Sequence, residues 1–136
     1  MKIFYQTQAT ATGGRTGKTA LDDGSLAFDL ALPNGEQQGT NPEQLFAMGY
    51  AACFDSALNL VAQQMKLPLS ESHTSVQIGI GQVLGGAYRL SAKISVKTQG
   101  LSQAQAESLV EKAHQVCPYS NAVRGNIEVE LVTIAA

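Results

Sequence analysis

The stretch GYAACFDSALNL, residues 49–60, places one of the chain's two cysteines inside a run of small and apolar residues. From Leu45 to Phe54 nearly every residue is apolar or small, which predicts a helix that is buried on most of its sides. Residues 55–66 are amphipathic, and Pro68 then ends the helical pattern. This helix decides the fold, because the rest of the chain has to cover it.

The sequence also predicts where this helix begins. Thr40 stands three residues before Glu43, a spacing typical of a capping box, in which two side chains satisfy free backbone N–H groups. Pro42 suits the first helical position, because a residue there needs no N–H donor. We therefore expect the helix to start near residues 40–42.

Alternating apolar and polar residues predict the strands that cover the helix. Residues 75–83 and 88–97 form one such hairpin, with one wet face and one face covered by helices. Asp23-Gly24 is the turn signal of a second hairpin over 18–32. The other predicted elements are a strand over 2–11, a helix over 102–117 with the apolar stripe Ala106, Leu109, Val110, Ala113 and Val116, a short turn over 119–125, and a strand over 126–134. This order is typical of an α+β fold.

Composition limits the classes of function. A chain of 136 residues without repeats or linkers suits one domain, 1–136. Charged residues make up 15 %, against about 25 % in typical soluble domains, so we expect part of the surface to be covered in an oligomer. The net charge is −2 and the nine basic residues are scattered, which predicts no nucleic-acid partner.

The sequence predicts neither a membrane partner nor export. The first residues, MKIFYQTQAT, turn polar too early for a signal peptide. The stretch LFAMGYAACF is expected to be too short to span a bilayer. We therefore expect a cytoplasmic protein, in which free thiols are catalytic, redox-active or metal-binding if they are functional at all.

Cys53 and Cys117 both point into the predicted interior. Each shares the apolar side of its helix, so two helices on one sheet are able to bring the thiols within disulfide reach, a Cα separation of about 4.4–6.8 Å. Inert core cysteines remain an alternative, because free cysteine packs like a small hydrophobic residue. A metal site is another alternative, since His114 and Cys117 form H-x-x-C and Cys53 would add a third ligand.

A reactive thiolate needs a nearby cation or hydrogen-bond donors, because burial raises the pKa of a thiol. Arg15 in TGGRTG is a candidate, and Glu43 is a candidate to orient its guanidinium. The alternatives are a solvated loop arginine and a glutamate that caps its helix. Glu43 precedes Cys53 by ten residues, about 15 Å along a straight helix. Either the helix breaks between them or the two residues act from different subunits, and we favour the second.

Three segments resemble one known family. They are TNPEQLFAMGYAACF at 40–54, VCPYSNAVRGN at 116–126 and ATATGGRTG at 9–17. Together they resemble the organic hydroperoxide resistance proteins of the osmotically inducible protein C (OsmC) superfamily. The resemblance implies an OsmC-like α+β fold, with antiparallel sheets packed on a buried central helix and two subunits intertwined in a homodimer.

The resemblance also implies roles. Cys53 matches the peroxidatic thiol and Cys117 the resolving thiol of a peroxidase that acts on organic hydroperoxides. Arg15 matches the arginine that stabilises the thiolate, and Glu43 the carboxylate that holds it. No cofactor is expected to be bound, and a dihydrolipoyl dithiol on a lipoylated protein is the expected reductant. Apolar neighbours of Cys53 are candidates for a substrate pocket, or else for the core: Phe46, Tyr50 and Phe54.

Two other functions stay open at this point. One is a stress protein of the same superfamily that prefers hydrogen peroxide. The other is a non-enzymatic domain that binds a ligand or metal through the same cysteines.

Overall fold

The stretch quoted above lies in one long helix, α1 (Pro42–Gln64), of 23 residues. In this computed structural model, which describes all 136 residues, α1 begins at Pro42 as predicted. Its cap differs from the prediction: Asn41 Oδ1 accepts a hydrogen bond from the Gln44 backbone N–H at 2.8 Å. The capping box of Thr40 and Glu43 is therefore wrong: the capping side chain is that of Asn41, one residue later, and the Thr40 hydroxyl donates to Gln44 Oε1 instead.

Helix α1 buries one side and exposes the other. Its buried residues are Tyr50, Phe54, Ala57, Leu58, Val61 and Ala62. Met48 and Leu60 are about half exposed, at 56 % and 48 %. The expectation of burial on most sides is thus wrong for a single chain, and an apolar face of α1 is left without cover.

The length of α1 corrects another expectation. It has a window of 18 residues with mean hydropathy 1.4, so by length and composition it is able to cross a membrane. One such helix is weak evidence, because core helices meet the same criterion. Asp55 within it accepts hydrogen bonds from the hydroxyls of Ser72 and Thr74, both at 2.8 Å. The helix is therefore tied to a sheet of the protein through a carboxylate.

The chain divides into two units, Met1–Leu45 and Phe46–Ala136. The first unit holds an antiparallel sheet in the order β1 (Ala9–Thr12), β2 (Lys18–Leu21) and β3 (Ala27–Asp29). The predicted hairpin over 18–32 is confirmed but shorter. The strand predicted over 2–11 begins only at Ala9, because β2 ends at Leu21 opposite that residue. Before it, Gln8 still accepts from the Asp22 N–H at 2.9 Å. The organisation as a single domain stays a prediction.

The second unit holds a sheet in the order β4–β5–β6, with a covered face and an exposed one. β4 (Glu71–Gln82) and β5 (Tyr88–Gln99) form the predicted antiparallel hairpin. β6 (Val129–Ala135) pairs with β5 in parallel, with Ala92 opposite Val129. The α+β class is confirmed, but this sheet is mixed rather than antiparallel, because the helices between β5 and β6 return the chain to the same end.

Two helices connect β5 to β6. α2 (Gln103–Val116) begins with a capping box of Ser102 and Gln105, and α3 (Pro118–Val123) follows directly. Val116 is 45 % exposed and does not belong to the predicted stripe, since the helix ends there. The core residues of this unit that are fully or almost fully buried include Leu58, Ile94, Val96, Leu109, Val110, Ala113 and Cys117.

Candidate active site

The structure brings the two cysteines together. Cys117 Sγ lies 3.6 Å from Cys53 Sγ, and both thiols are free. Cys53 is half-buried on α1, whereas Cys117 is fully buried where α2 meets α3. The sequence pattern that turns both cysteines toward one interior therefore matches the observed placement.

The junction of α2 and α3 sets the position of Cys117. Its backbone is extended (φ −60°, ψ 122°), while its N–H still donates to the Ala113 carbonyl at 2.8 Å. The Cys117 carbonyl accepts from the Asn121 N–H at 2.9 Å and so starts the next helix. Pro118 occupies the first position of α3, where the missing N–H costs no hydrogen bond. The thiol is thus held at a bend between two helices.

The surroundings of Cys53 both hinder and help its ionisation. Burial raises the pKa of the Cys53 thiol above its usual value, and a hydrogen bond from the Tyr119 backbone N–H works in the opposite direction. The Cys117 thiol raises the pKa of Cys53 further. Within residues 46–136 the groups that shift this pKa include no cation. The Tyr119 N–H is thus the group in this unit that favours a thiolate at Cys53.

Aromatic rings pack together next to the thiols. The ring centroids of Phe46 and Tyr119 lie 5.9 Å apart, and those of Tyr50 and Tyr119 lie 5.7 Å apart. Gly49 permits this approach, because an added Cβ would lie only 2.9 Å from the Tyr119 hydroxyl oxygen. Tyr50 and Phe54 are completely buried, so of the three residues predicted to line a pocket only Phe46 offers surface to a ligand. Tyr119, 39 % exposed, shares that surface and was not predicted to do so.

A buried polar cluster was missed in the sequence. Ser120 Oγ lies 2.7 Å from Tyr50 Oη and 2.8 Å from His114 Nδ1. Burial lowers the pKa of His114, and the charge of Arg124 lowers it further. The observed partner of the His114 ring is the Ser120 hydroxyl. No group of three His, Cys, Asp or Glu side chains is arranged to hold a metal. The sequence feature that indicates this cluster is the spacing of His114 and Ser120, which lie three residues before and three residues after Cys117.

An ion pair forms the other polar arrangement. Arg15 donates through Nη1 to Glu43 Oε2 at 2.8 Å and through Nη2 to Oε1 at 2.6 Å. The Arg15 side chain is 45 % exposed and that of Glu43 is 14 % exposed. This contact lowers the pKa of the Glu43 carboxyl and raises the pKa of Arg15. The predicted pairing of the two residues is present in the structure.

Glycines shape the loop that carries Arg15. It is a short 3-10 turn, Gly14–Thr16, between β1 and β2. Gly13 has φ 77°, and a Cβ on Gly17 would lie 1.8 Å from the Thr12 carbonyl oxygen. Any residue other than glycine would therefore be strained at position 13, and its Cβ would clash with the backbone at position 17.

Two further observations concern the layout of the site. Helix α1 runs without interruption from Pro42 to Gln64, so the helix break considered from the sequence does not occur. Two depressions in the surface have volumes of about 610 and 600 Å³ and are lined by residues of β4, β5, β6 and the loop before β6. They hold none of the predicted site residues.

Known proteins share this fold and sequence. The model of the family described as OsmC-like protein matches residues 35–132. An organic hydroperoxide resistance protein of Xanthomonas axonopodis pv. citri is 47 % identical, over 96 % of this chain and 94 % of its own. In Bacillus subtilis a protein of that name is 44 % identical, over 94 % and 96 %.

A solved structure agrees with these matches. The crystal structure of an organic hydroperoxide resistance protein from Elizabethkingia anophelis, with crystallant-derived thiocyanate bound, has a TM-score of 0.94 at 46 % identity and covers 100 % of both chains. The chain therefore belongs to the OsmC-like family and, within it, to the organic hydroperoxide resistance proteins.

Proposed function

We propose that this protein is a cysteine-based peroxidase that reduces organic hydroperoxides to alcohols. The observation that carries the proposal is the 3.6 Å distance between the free thiols of Cys53 and Cys117. A thiol beside a second thiol is suited to form a sulfenic acid and to convert it to a disulfide before further oxidation. The name shared by the relatives supports an organic hydroperoxide as the substrate.

The first step is the attack of the Cys53 thiolate on the terminal oxygen of the hydroperoxide. The S–O bond forms as the O–O bond breaks, the alkoxide takes a proton and leaves as the alcohol, and Cys53 becomes a sulfenic acid. Cys53 is assigned this role because it is half-buried, whereas Cys117 is fully buried. A substrate has access only to an exposed sulfur.

The second step joins the two cysteines. The Cys117 sulfur attacks the sulfenic sulfur, the S–S bond forms, and the hydroxyl leaves as water with the proton of the Cys117 thiol. An external dithiol then reduces the disulfide by exchange. We propose a lipoyl dithiol on a partner protein as this reductant, with no cofactor bound to the peroxidase itself.

Arg15 and Glu43 are proposed to activate the first step. The fork of Arg15 is held by two hydrogen bonds to Glu43, which orients a permanent positive charge. Such a charge would favour the Cys53 thiolate and stabilise the negative charge that develops on the peroxide. Since α1 has no break and Glu43 precedes Cys53 by about 15 Å along it, we propose that the ion pair serves the thiol of a second subunit.

The exposed face of α1 supports a homodimer. Met48 and Leu60 leave apolar surface uncovered in one chain, and the chain has few charged residues with which to solvate it. A second copy that covers this face would remove that surface from water. Size measurement by light scattering tests the dimer directly.

Apolar surface is also proposed to set the substrate preference. Phe46 and Tyr119 pack together beside Cys53, and the N–H of Tyr119 bonds to its sulfur. Aromatic surface at this point favours alkyl or lipid hydroperoxides over the small, polar hydrogen peroxide.

The decisive experiment is a peroxidase assay with cumene hydroperoxide and either dihydrolipoamide or thioredoxin. We expect turnover with dihydrolipoamide that Cys53→Ser abolishes. No turnover with either reductant would refute the peroxidase. Faster turnover of hydrogen peroxide than of cumene hydroperoxide would instead favour the related stress protein.

A second variant separates the roles of the cysteines. Cys117→Ser should consume one equivalent of peroxide and then stop, with a sulfenic acid at Cys53 that a dimedone-type probe captures. A Cys117→Ser protein that consumes no peroxide would show that the two roles are reversed or wrong.

A further inference from the structure

Formation of the disulfide places a strict demand on Cys117. Its sulfur lies 3.6 Å from that of Cys53, and a disulfide bond is about 2.05 Å long, so the two atoms still have to approach. Cys117 lies at a bend, where neither α2 nor α3 fixes it by regular helical geometry. A displacement of about 1 Å in a reacting group costs on the order of 100-fold in rate. Some contact has to hold this bend against α1.

Ser120 is placed to do so. Its hydroxyl contacts Tyr50 on α1 and His114 on α2, while Ser120 itself belongs to α3. Each of these residues stands one helical turn from a thiol, since Tyr50 precedes Cys53 by three positions and His114 precedes Cys117 by three. One buried oxygen thus joins the three segments that carry the two sulfur atoms.

The hydrogen bonds of this junction form one consistent chain. The two contacts are satisfied together when Tyr50 Oη donates to Ser120 Oγ and the Ser120 hydroxyl donates to His114 Nδ1, or when both bonds run the other way, from His114 Nδ1–H through Ser120 to Tyr50 Oη. The first direction requires a neutral imidazole with its proton on Nε2. Burial and the charge of Arg124 lower the pKa of His114 and so favour that neutral form. Both Tyr50 and Ser120 are completely buried, so loss of one partner leaves a polar atom without water.

A second contact fixes the far end of α3 to α2. The guanidinium of Arg124 donates to the His114 carbonyl oxygen at 2.6 Å and also to the Asn121 side chain. The bond between Tyr50 and Ser120 is the one hydrogen bond between side chains of α3 and α1. The alignment of Cys117 with Cys53 therefore depends on Ser120 more than on any other polar side chain of α3.

We propose that Ser120 is a positioning residue for the resolving step, which holds Cys117 in line with the Cys53 sulfenic acid by tying α3 to α1 and α2. This inference rests on the proposed function. Ser120 touches no reacting atom, and peroxide reduction at Cys53 does not need it. Its loss slows the attack of Cys117 and leaves the sulfenic acid exposed to a second molecule of peroxide.

The test compares Ser120→Ala with the wild type in single-turnover oxidation by cumene hydroperoxide. Consumption of the first equivalent of peroxide should be unchanged, while formation of the disulfide should slow by about 100-fold. Mass spectrometry should then find more sulfinic acid at Cys53 and more dimedone-type adduct. Ser120→Thr, which keeps the hydroxyl, should restore the partition toward disulfide.

Ser102→Ala is the matched control. It makes the same chemical change at the cap of α2 and costs about 1 kcal/mol of stability, but it lies away from the thiols. If Ser120 has only a structural role, Ser120→Ala should behave like Ser102→Ala. Each variant would have a lower melting temperature, and each would keep the wild-type ratio of disulfide to sulfinic acid. That result, in a folded Ser120→Ala protein, would overturn the proposal.

Two further arms keep the inference testable. Tyr50→Phe removes one bond of the junction but keeps the ring, and it should shift the partition in the same direction even if Ser120→Ala fails to fold. Diamide forms the Cys53–Cys117 disulfide without peroxide, because one thiol adds to its N=N bond and the other then displaces the hydrazine.

Closure by diamide should be slower in Ser120→Ala than in Ser102→Ala. The proposed function would be refuted if the wild type and Cys53→Ser consumed peroxide equally. The role of Ser120 would be refuted if diamide formed the disulfide at the same rate in Ser120→Ala and Ser102→Ala.

Discussion

The thiol pair and the ion pair are held in opposite ways. Cys53 and Cys117 are positioned by helices that pack in a closed core, and their neighbours are apolar or fully hydrogen-bonded. Arg15 lies in an exposed turn between glycines, and its position depends on two hydrogen bonds to Glu43. One region is fixed by packing and the other by charge. Loss of packing should therefore reduce stability in the first region, and loss of the arginine should reduce reactivity in the second.

The largest effect is expected from loss of packing around the thiols. Leu109 on α2 is completely buried, so Leu109→Ala should lower the free energy of unfolding by about 2–5 kcal/mol through the cavity it leaves. Denaturation in urea measures this change. Leu84→Ala is the control, because Leu84 is fully exposed in the β4–β5 turn and should change stability by less than about 0.5 kcal/mol. Equal effects of the two variants would contradict a packed thiol region.

Removal of the arginine should have the next largest effect, and on a different quantity. If the proposed function holds, Arg15→Ala should slow oxidation of Cys53 by about 100-fold, the typical cost of removing one oriented donor to developing charge. The melting temperature should hardly change, because exposed ion pairs contribute little. Stopped-flow oxidation measures the rate, and Arg89→Ala, on an exposed strand position, is the control. Unchanged oxidation in Arg15→Ala would remove Arg15 from the mechanism.

The pH dependence of that defect sharpens the comparison. Burial raises the pKa of Cys53, so below that pKa the thiolate fraction grows about tenfold per pH unit. Alkaline pH therefore supplies the thiolate that the arginine otherwise favours. The ratio of wild-type to Arg15→Ala rates of alkylation by iodoacetamide should be constant while both thiols are protonated, and should fall as pH rises through the lower pKa of the wild-type thiol. A ratio that stays constant up to a pH at which both thiols are fully ionised would mean that Arg15 does not act on the ionisation of Cys53.

A smaller effect is expected where the two regions share helix α1. Asn41→Ala removes the cap that accepts from the Gln44 N–H and should cost about 1 kcal/mol of stability. Thr40→Ala is the comparison, because the Thr40 hydroxyl bonds only to the exposed Gln44 side chain. Thermal unfolding distinguishes the two. A larger loss for Thr40→Ala would restore the cap predicted from the sequence.

The smallest effect concerns the ion pair in acid. Arg15 lowers the pKa of Glu43 below its usual value of 4.5 in the folded protein, so ionisation of Glu43 favours folding. This stabilisation is complete above that usual value and is lost as pH falls through the lowered pKa. The stability difference between the wild type and Glu43→Gln should be constant from pH 5 to 8 and should shrink below pH 4. Glu36→Gln, in an exposed loop, should show no such difference at neutral pH.

Local patterns in the sequence predicted much of this structure. Alternation along 88–97 placed Ala92, Ile94 and Val96 on the buried face, because successive residues of a strand point to opposite sides. The apolar spacing of α2 predicted its buried stripe apart from Val116. Features that depend on a distant partner were missed. The parallel pairing of β6 with β5 is such a feature. The cap of α1 is local, since Asn41 bonds to the Gln44 N–H three residues on, and the sequence prediction placed it one residue too early.

The candidate site divides along the same line. Residue types and segment motifs were sufficient to single out four candidates. These are the two thiols, a permanent cation and a carboxylate to orient that cation: Cys53, Cys117, Arg15 and Glu43. The role of Tyr119 beside Cys53 and the junction at Ser120 did not emerge, since both arise where three helices meet.

By itself, the sequence determined where the long helix and the β4–β5 hairpin would form, which face of β5 would be buried, and which side chains are able to perform thiol chemistry. These properties follow from side-chain chemistry and from the periods of helix and strand. Only the tertiary structure decided that the two sulfur atoms lie 3.6 Å apart and that Arg15 forms two hydrogen bonds with Glu43. It also decided that the Ser120 hydroxyl, on α3, contacts side chains of both α1 and α2. Distances between residues far apart in the chain result from the packing of the whole core, to which many residues contribute at once.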